Sequence, residues 1–573
     1  MRALRFISAL TVSVLVLAGC SGQGQPTSPT PAEPSTAEET ASASSGVSEE
    51  DRQKAREIVQ KMSADQLVGA TIMGTYDGVD PAVAGQMVKK NSLAGVIVMG
   101  YNLPDGAGPE GVKDYTGALR EAAGERAWPV QLSVDQEGGP VARLKSAAYS
   151  FPPLMAFGAA GDAELTQDAM EVQGAQLADL GFTINWAPVA DVTVGQKDPA
   201  VNVRAAGGSQ ETVVGAVEPA VKGYLAAGIG SSAKHFPGHG QLTVDSHVDL
   251  PESKKTLEEY SDTEWEPFEA AIEAGVPSVL VGHMRVAGAG DKPASLNPEV
   301  YEALRDELGF DGVAVTDGLN MGAITKGVPA GQETVEALKA GADLALMPPD
   351  LDAAVQAVKK AVDSGDLSEK DMRAKAERVV AMSLWQERAA DEAGSGEGAG
   401  EAGSGDGGGG DGGDGGGDGG DGDGGDGAGG AGAGDGGQKP ADDVFNEVGR
   451  ESLTVLAGSC SAEPVQSVSI SGPPAAAEAL KNALTEHGIE AGGGTSVKLV
   501  DGTESSSGGA DVVIGMGGPW KVASAAGNAD TVLVTYADTE YAMNAVADYL
   551  AGELEASAQM PITLSGVKPP KCG

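Results

Sequence analysis

The stretch "TVVGAVEPAVKGYLAAGIGSSAKHF" (residues 212–236) joins an amphipathic helical pattern to a largely apolar run of strand length. Near-continuous apolar strands that alternate with helices predict a parallel sheet covered on both faces. The same alternation continues from residue 49 to residue 388, where eight runs have the length of strands. These runs are residues 67–74, 93–100, 129–135, 182–189, 228–236, 276–283, 311–317 and 342–348. Eight such units predict a (β/α)8 barrel.

The N-terminal segment has the pattern of an export signal. Two arginines precede an apolar run that is too short to span a bilayer, and the run ends in "LAGC" at residues 17–20. This ending resembles the lipobox of bacterial lipoproteins, which predicts a signal peptide over residues 1–19 and lipid attachment to Cys20. An ordinary signal peptide with a chance cysteine is the alternative. Residues 20–48 are rich in Ser, Thr, Pro, Ala and Glu without a hydrophobic period, so we expect a disordered tether.

A Gly/Asp-rich segment, residues 389–441, divides the chain after the predicted barrel and contains "GDGGGGDGGDGGGDGGDGDGGDG". Its composition cannot bury apolar surface and predicts a flexible linker. A calcium-binding β-roll also uses Gly and Asp, but each of its turns needs an aliphatic residue, which this segment lacks.

The remaining residues, 442–573, alternate again and predict a smaller α/β sandwich domain without a catalytic constellation of its own. Two helices are expected near 474–487 and 540–554. The strand candidates are residues 453–458, 467–472, 496–502, 511–517, 531–538 and 561–566. In an exported protein, Cys460 and Cys572 could form a disulfide or remain two unpaired thiols, and the sequence leaves both open.

The overall charge excludes one class of partner. The chain has 573 residues, 41% of them hydrophobic, and a formal net charge of −45. Nucleic-acid binding needs clustered Lys and Arg that face the phosphates, so no nucleic-acid partner is expected.

Histidines are concentrated in "KHFPGHGQLTVDSH", residues 234–247, which holds three of the five in the chain. His235 and His239 have the i, i+4 spacing of zinc ligands on a helix, but Pro and Gly between them make a regular helix unfavourable, and no metal site is expected. A structural role with backbone partners is a second alternative. Asp245 stands two residues before His247, where a carboxylate can orient an imidazole and favour its protonated form. This pair predicts acid/base chemistry near neutral pH.

Polar side chains also stand at the ends of the predicted strands, where a barrel gathers them at one mouth. Polar loops after strands are common, but a Lys-His pair and two strand-end histidines are unusual in a histidine-poor chain. These residues are Asp135, Glu137, Asp191, Lys234, His235, His283 and Asp317.

Several separated motifs in matching order resemble one family. "KHFPGHG" and the following "DSH", with "VDQEGG" upstream and "VAVTDGLNMGAI" downstream, resemble glycoside hydrolase family 3, and specifically its β-N-acetylglucosaminidase branch. The resemblance covers the predicted barrel, and more weakly the C-terminal domain. It implies a retaining glycosidase in which Asp317 is the nucleophile and His247, polarised by Asp245, is the general acid/base.

The same resemblance implies which residues bind the sugar, namely Asp135, Arg204, Lys234 and His235. A surface salt bridge for Arg204 and a structural Asp135–Lys234 pair beneath the site are the alternatives. The resemblance gives His239, His283 and Asp191 supporting roles. The chain departs from the family pattern at Pro140, with Arg143 following, at Gly318 where relatives carry a second acidic residue, and at Gln241-Leu242.

These observations predict a monomeric exo-β-N-acetylglucosaminidase, lipid-anchored on the outer face of the bacterial cell membrane, that trims terminal GlcNAc from peptidoglycan fragments or related glycans. The covalent mechanism needs no metal or organic cofactor. A β-GlcNAc phosphorylase, a β-glucosidase of the same family and a glycan-binding lipoprotein without turnover are the alternatives.

Overall fold

The structure, a computed structural model, describes residues 46–395 and 439–572. The predicted signal peptide, Cys20, most of the predicted tether and most of the predicted linker lie outside these residues. Within the described ranges, no helix combines the length and apolar character needed to cross a membrane.

Ten strands precede the second domain, and eight of them form a ring of parallel strands. In chain order they are β1 (Ile72–Gly74), β2 (Gly95–Ile97), β3 (Gln131–Val134), β4 (Gln136–Gly138), β5 (Val141–Ala142), β6 (Ile184–Asn185), β7 (Ser232–Phe236), β8 (Ser278–Val281), β9 (Val313–Thr316) and β10 (Ala345–Leu346). β4 and β5 form an antiparallel hairpin after β3. The others pair in the orders β10-β1-β2-β3-β6 and β7-β8-β9, and parallel bridges Ile184–Gly230 and Val315–Leu344 join the two ladders. The (β/α)8 prediction is confirmed.

Helices surround this ring. They are α1 (Glu49–Val59), α2 (Ala64–Gly69), α3 (Pro81–Asn91), α4 (Pro109–Ala123), α5 (Leu154–Ala160), α6 (Ala163–Asp179), α7 (Gln210–Ala226), α8 (Leu257–Ser261), α9 (Glu266–Glu273), α10 (Pro298–Glu302), α11 (Gly322–Thr325), α12 (Gln332–Ala340), α13 (Leu351–Asp363) and α14 (Glu369–Ser395). In α7, Val213, Val217, Ala220 and Tyr224 recur at helical spacing and are buried, which is why this segment packs as a helix against its neighbours.

The first predicted strand, 67–74, is wrong over its first half. Ser63 accepts a hydrogen bond from the backbone N–H of Gln66, whose side chain bonds back to the N–H of Ser63. This capping box starts α2, so local capping chemistry prevails over the apolar run, and only Ile72–Gly74 is a strand.

The second domain has a six-stranded sheet with the order β11-β16-β15-β14-β12-β13, in which β11 is antiparallel to β16 and the other pairs are parallel. Its strands are β11 (Thr454–Ala457), β12 (Ser467–Ser471), β13 (Glu490–Ala491), β14 (Thr495–Val500), β15 (Val512–Gly515) and β16 (Thr531–Val534). Its helices are α15 (Ala441–Ser452), α16 (Pro474–Glu486) and α17 (Glu540–Leu550). The predicted α/β domain is confirmed, but its last predicted strand, 561–566, is wrong because those residues leave the sheet and lie against the barrel.

The boundary of the predicted linker also differs. α14 continues to Ser395, past the predicted linker start at residue 389, and α15 begins at Ala441. Cys460 and Cys572 form a disulfide, which settles the choice that the sequence left open.

Aromatic side chains join the two domains. Phe445 on α15 packs edge-on against Phe151 of the barrel, with 5.5 Å between ring centroids, and its ring centroid lies 5.2 Å from that of Tyr149. Phe445 and Phe151 belong to the main hydrophobic cluster of the barrel, and Tyr149 packs against it. The second domain therefore packs on the barrel through a shared hydrophobic core.

Candidate active site

One cavity of about 260 Å³ opens at the carboxyl ends of the barrel strands. It brings together six of the seven residues predicted to act on substrate, and the seventh, Asp245, is hydrogen-bonded to one of them. The six are Asp135, Arg204, Lys234, His235, His247 and Asp317. Residues almost two hundred positions apart thus meet because parallel strands present their carboxyl ends at one mouth.

Asp317 follows β9 directly, and its N–H donates to the carbonyl of Val281 on β8 over 2.9 Å. The Gly318 N–H donates to Asp317 Oδ1 over 2.8 Å. Burial by itself would raise the pKa of Asp317, but the electrostatic influence of His283 and His235, together with the Gly318 donor, lowers that pKa to about 2. The carboxyl is therefore ionised at neutral pH, as a nucleophile must be.

His283 holds the turn that carries Asp317. Its Nε2 donates to the carbonyl of Gly318 over 2.9 Å, and its Nδ1 accepts from the hydroxyl of Ser295 over 2.7 Å. Burial lowers the pKa of His283, and its two hydrogen bonds fix the orientation of the ring. This geometry suits the supporting role expected for His283.

Asp191 fixes the beginning of the histidine loop. Its buried carboxylate accepts from the backbone N–H of His235 (3.2 Å), the Nδ1–H of His235 (2.7 Å) and the backbone N–H of His239 (2.6 Å). Burial would raise the pKa of Asp191, but His235 and His239 lower it. Asp191 therefore has the supporting role expected from the sequence. It holds His235, which follows Lys234, and the turn that leads to His239.

His239 differs from its expected supporting role. Both of its ring nitrogens are buried without a hydrogen-bond partner in the described part of the chain, although the ring lines the cavity. Burial and the neighbouring His235 lower the pKa of His239 to about 4, so the ring is neutral at pH 7. It has one donor and one acceptor free for a ligand.

An ion network forms one side of the cavity. Glu137 accepts two hydrogen bonds from Arg204, both of 2.8 Å, and its Oε1 lies 2.6 Å from Lys234 Nζ. Lys234 Nζ also donates to Asp135 Oδ1 over 3.1 Å. The suggested surface salt bridge for Arg204 is wrong, since its partner is the buried Glu137, whereas the suggested Asp135–Lys234 pair is present. Burial would raise the pKa of Glu137, but the two cations hold it well below its usual range.

His247 faces the cavity from a loop that is tied to the segment after Asp317. Its Nδ1 lies 2.8 Å from Asp245 Oδ1, which also accepts the backbone N–H of His247 over 2.9 Å. The carbonyl of His247 accepts from the Gly322 N–H over 3.2 Å. A Cβ at Gly322 would come within 2.6 Å of the Val248 carbonyl, so glycine permits this close approach. The His247 side chain keeps 63% of its surface exposed, so its ring is within reach of solvent and substrate.

Two charged residues that line the cavity, Glu137 and Arg143, are not assigned to substrate by the sequence. The sequence identifies Glu137 only as a strand-end residue, and Arg143 only as part of a departure from the family pattern. Arg143 Nε is buried without a partner in the described structure, and the side chain borders the cavity. Glu137 could have been found from its position two residues after Asp135. Nothing in the local sequence pattern distinguishes Arg143.

A buried glutamate beneath the histidine loop predicts a pH effect on stability. Glu264 packs under Gly238, where an added Cβ would lie 3.0 Å from Glu264 Cβ, and its Oε1 lies 2.7 Å from Lys255 Nζ. Burial raises the pKa of Glu264 from its ordinary 4.5 to about 7. A raised folded-state pKa stabilises the fold fully below about pH 4.5, and this contribution is lost as pH rises through about 7.

We therefore expect Glu264→Gln to flatten that dependence. Between pH 5 and pH 8, the free energy of unfolding of the wild type should fall relative to the variant by up to about 3 kcal/mol. Denaturant unfolding of both proteins at the two pH values measures the difference. Parallel losses in both proteins would show that Lys255 keeps Glu264 ionised throughout.

Comparison with known proteins agrees with this geometry. Residues 57–382 match the glycosyl hydrolase family 3 N terminal domain. Beta-hexosaminidase A of Pseudoalteromonas piscicida is 32% identical over 289 residues, which cover 47% of this chain and 48% of that protein. A beta-hexosaminidase of Stenotrophomonas maltophilia (strain R551-3) is 33% identical over 283 residues, covering 47% of this chain and 81% of that protein.

A solved structure extends the likeness to both domains. The glycoside hydrolase family 3 beta-N-acetylglucosaminidase from Paenibacillus sp. str. FPU-7 superposes with a TM-score of 0.72 at 26% identity, over 88% of this chain and 99% of that one. The motifs that suggested the family thus lie in a barrel that matches the family's N-terminal domain along most of its length. The chain belongs to glycosyl hydrolase family 3 and carries the catalytic domain of a glycosidase.

Proposed function

We propose that this protein is a retaining exo-β-N-acetylglucosaminidase. The observation that carries the proposal is that one cavity is bordered both by the ionised carboxyl of Asp317 and by His247, whose ring is hydrogen-bonded to Asp245. The similarity to two beta-hexosaminidases and to the Paenibacillus beta-N-acetylglucosaminidase supports GlcNAc as the sugar.

Two steps account for the reaction. In the first, Asp317 attacks the anomeric carbon and forms a covalent glycosyl-enzyme, while the imidazolium of His247 protonates the departing glycosidic oxygen. In the second, neutral His247 takes a proton from water, which attacks the same carbon and releases Asp317. Two displacements at one carbon retain the configuration. Asp245 holds the imidazole through Nδ1, which leaves Nε2 to carry the proton.

The size and lining of the cavity support exo action on one sugar residue. At about 260 Å³ it is smaller than the clefts of roughly 300–1,000 Å³ that take drug-sized ligands. The cations Lys234 and Arg204, the carboxylate of Asp135 and the free nitrogens of His239 offer the mixture of donors and acceptors that pyranose hydroxyls require. We infer that Arg143 contacts the sugar as well, because its buried Nε otherwise lacks a partner among the described residues.

The cellular location of the enzyme is part of the proposal. Cleavage after residue 19 and lipid attachment to Cys20 would place the catalytic domain on the outer face of the bacterial membrane, where peptidoglycan fragments are the GlcNAc-containing glycans at hand. Palmitate labelling of wild type and Cys20→Ala in the native host tests the anchor.

Phosphorolysis is a second candidate, favoured by one feature. A histidine acid/base lacks the negative charge with which a carboxylate would repel incoming phosphate. Hydrolysis remains the first candidate because the second step requires only water beside His247.

One assay separates these functions. The protein is incubated with a chromogenic β-GlcNAc glycoside and with the matching β-glucoside, in buffers with and without phosphate, and the products are resolved. We expect free GlcNAc with retained configuration in both buffers and little release from the glucoside. GlcNAc-1-phosphate would favour phosphorolysis, preference for the glucoside would favour a β-glucosidase, and binding without release would favour a glycan-binding protein.

A further inference from the structure

The segment after the last sheet strand lies against the barrel, where the sequence predicts a further strand. Residues 559–567, called here the C-terminal strap, contact the barrel at several points. The Gln559 N–H donates to the carbonyl of Ala159 at the end of α5 over 3.0 Å, and the carbonyl of Pro561 accepts from the Gly208 N–H over 2.9 Å. These backbone bonds cross from the second domain to the barrel, the latter reaching the loop between β6 and α7.

Side-chain packing reinforces the same contact. A Cβ at Gly195 would lie 2.4 Å from Ile562 Cδ1, and a Cβ at Gly208 would lie 3.2 Å from Ile562 Cγ1. Ile562 therefore sits directly on the two ends of the barrel loop 195–208, in space that a side chain at Gly195 would occupy and one at Gly208 would crowd. Trp520 of the second domain also borders Gly195, with a ring carbon 3.1 Å from the same Cβ position.

This loop carries Arg204. The Arg204 guanidinium holds Glu137, and Glu137 in turn holds Lys234. Inside the loop, Asp198 accepts hydrogen bonds from the backbone N–H groups of the residues that follow it, namely Ala200, Val201 and Asn202. The loop is thus organised from within by Asp198 and clamped from outside by Ile562.

The strap itself is fastened at both sides. Leu564 and Val567 pack into the same apolar cluster as Trp520 and Ile562. The disulfide between Cys460 and Cys572 ties the following residues back to the second domain. Since both ends are attached to that domain, a shift of the strap would be passed to the loop that it covers.

We propose that the C-terminal strap is a positioning element for sugar binding, with Ile562 as its central residue acting through Arg204. The second domain then contributes to the substrate affinity of the barrel without entering the cavity. The proposal rests on the proposed function only in taking Arg204 as a sugar ligand.

The first test measures whether the strap holds the loop, and it needs no activity. Hydrogen exchange is compared in full-length wild type, Ile562→Ala and the control Val567→Ala, which truncates a strap residue of the same cluster. We expect amides of residues 195–208 to exchange at least about tenfold faster in Ile562→Ala only. Unchanged exchange in this loop overturns the proposal.

The second test measures whether the loop position matters for binding. With a β-GlcNAc aryl glycoside, Ile562→Ala should raise KM about five- to tenfold and change kcat less than about twofold, because the clamp orients a ligand to the sugar rather than a reacting group. Ile562→Val should restore most of the affinity. Reduction of the disulfide, or Cys572→Ser, should raise KM in the same direction. An unchanged KM in Ile562→Ala overturns the role in sugar binding.

A double-mutant cycle identifies the route of the effect. If Ile562 acts through Arg204, adding Ile562→Ala to Arg204→Ala should raise KM no further. A full, multiplicative effect in the double variant overturns the assignment to Arg204. If wild type shows no glycosidase activity, the proposed function fails, while the exchange experiment still decides whether the strap holds the loop.

Discussion

Asp317→Asn is expected to lower kcat/KM for a β-GlcNAc glycoside by at least about 10⁴-fold. The amide is uncharged and a poor nucleophile, so no covalent intermediate can form, whereas the shape of the cavity is preserved. Initial rates of wild type and variant on one aryl glycoside measure the loss. Asp306→Asn, which changes an exposed carboxylate on the helical segment before β9, serves as the matched control and should retain wild-type rates.

Covalent trapping identifies the same residue independently. A 5-fluoro or 2-deoxy-2-fluoro glycosyl donor should inactivate the wild type, and peptide mapping should place the label on Asp317. Because the pKa of Asp317 is about 2, this carboxyl stays ionised through the working range of pH, and any acidic limb above about pH 4 must report another group. Label on a different carboxylate would remove Asp317 from the mechanism.

The barrel was predictable from sequence because its strands are buried on both faces and therefore read as apolar runs between helices. The two errors among the predicted strands have physical causes. The capping box of Ser63 and Gln66 starts a helix at Ala64 that includes residues 67–69 of the apolar run. At 561–566 the alternating pattern is real, but its apolar side chains, Ile562 and Leu564, cover the barrel loop and its flanking cluster instead of joining a sheet.

Site residues that stand at the end of a strand were predictable from the sequence. Site residues elsewhere were less so. Asp317, Lys234 and His235 stand at strand ends, so topology alone brings them together. Arg143 and the free ring of His239 depend on which way a side chain turns and on which partners it lacks, and a sequence contains neither fact. Likewise, Ile562 contacts the loop that carries Arg204 only because the two domains pack together, and the sequence does not reveal this contact.

His247→Ala should reduce kcat/KM by about 10²- to 10⁴-fold on a GlcNAc-containing disaccharide, the range of general acid/base catalysis. The loss should be much smaller for an aryl glycoside whose phenol is acidic, because such a leaving group departs without a proton. Asp245→Asn should show the same dependence on leaving group with a smaller loss, since it removes the anion that orients Nδ1 but keeps the ring. Asp249→Asn, which changes an exposed carboxylate two residues beyond His247 paired with Lys326, is the matched control.

The second step gives this assignment its sharpest test. Without His247 no base activates water, so the glycosyl-enzyme on Asp317 should accumulate when an activated aryl glycoside is used, and a burst of phenol should precede a slow steady state. Azide, which attacks without needing a base, should restore turnover of His247→Ala and yield the β-glycosyl azide, while leaving Asp317→Asn inactive. Equal losses on good and poor leaving groups, without azide rescue, would mean that His247 binds the sugar and that the proton comes from another group on the cavity wall. The unpaired ring of His239 is one such group.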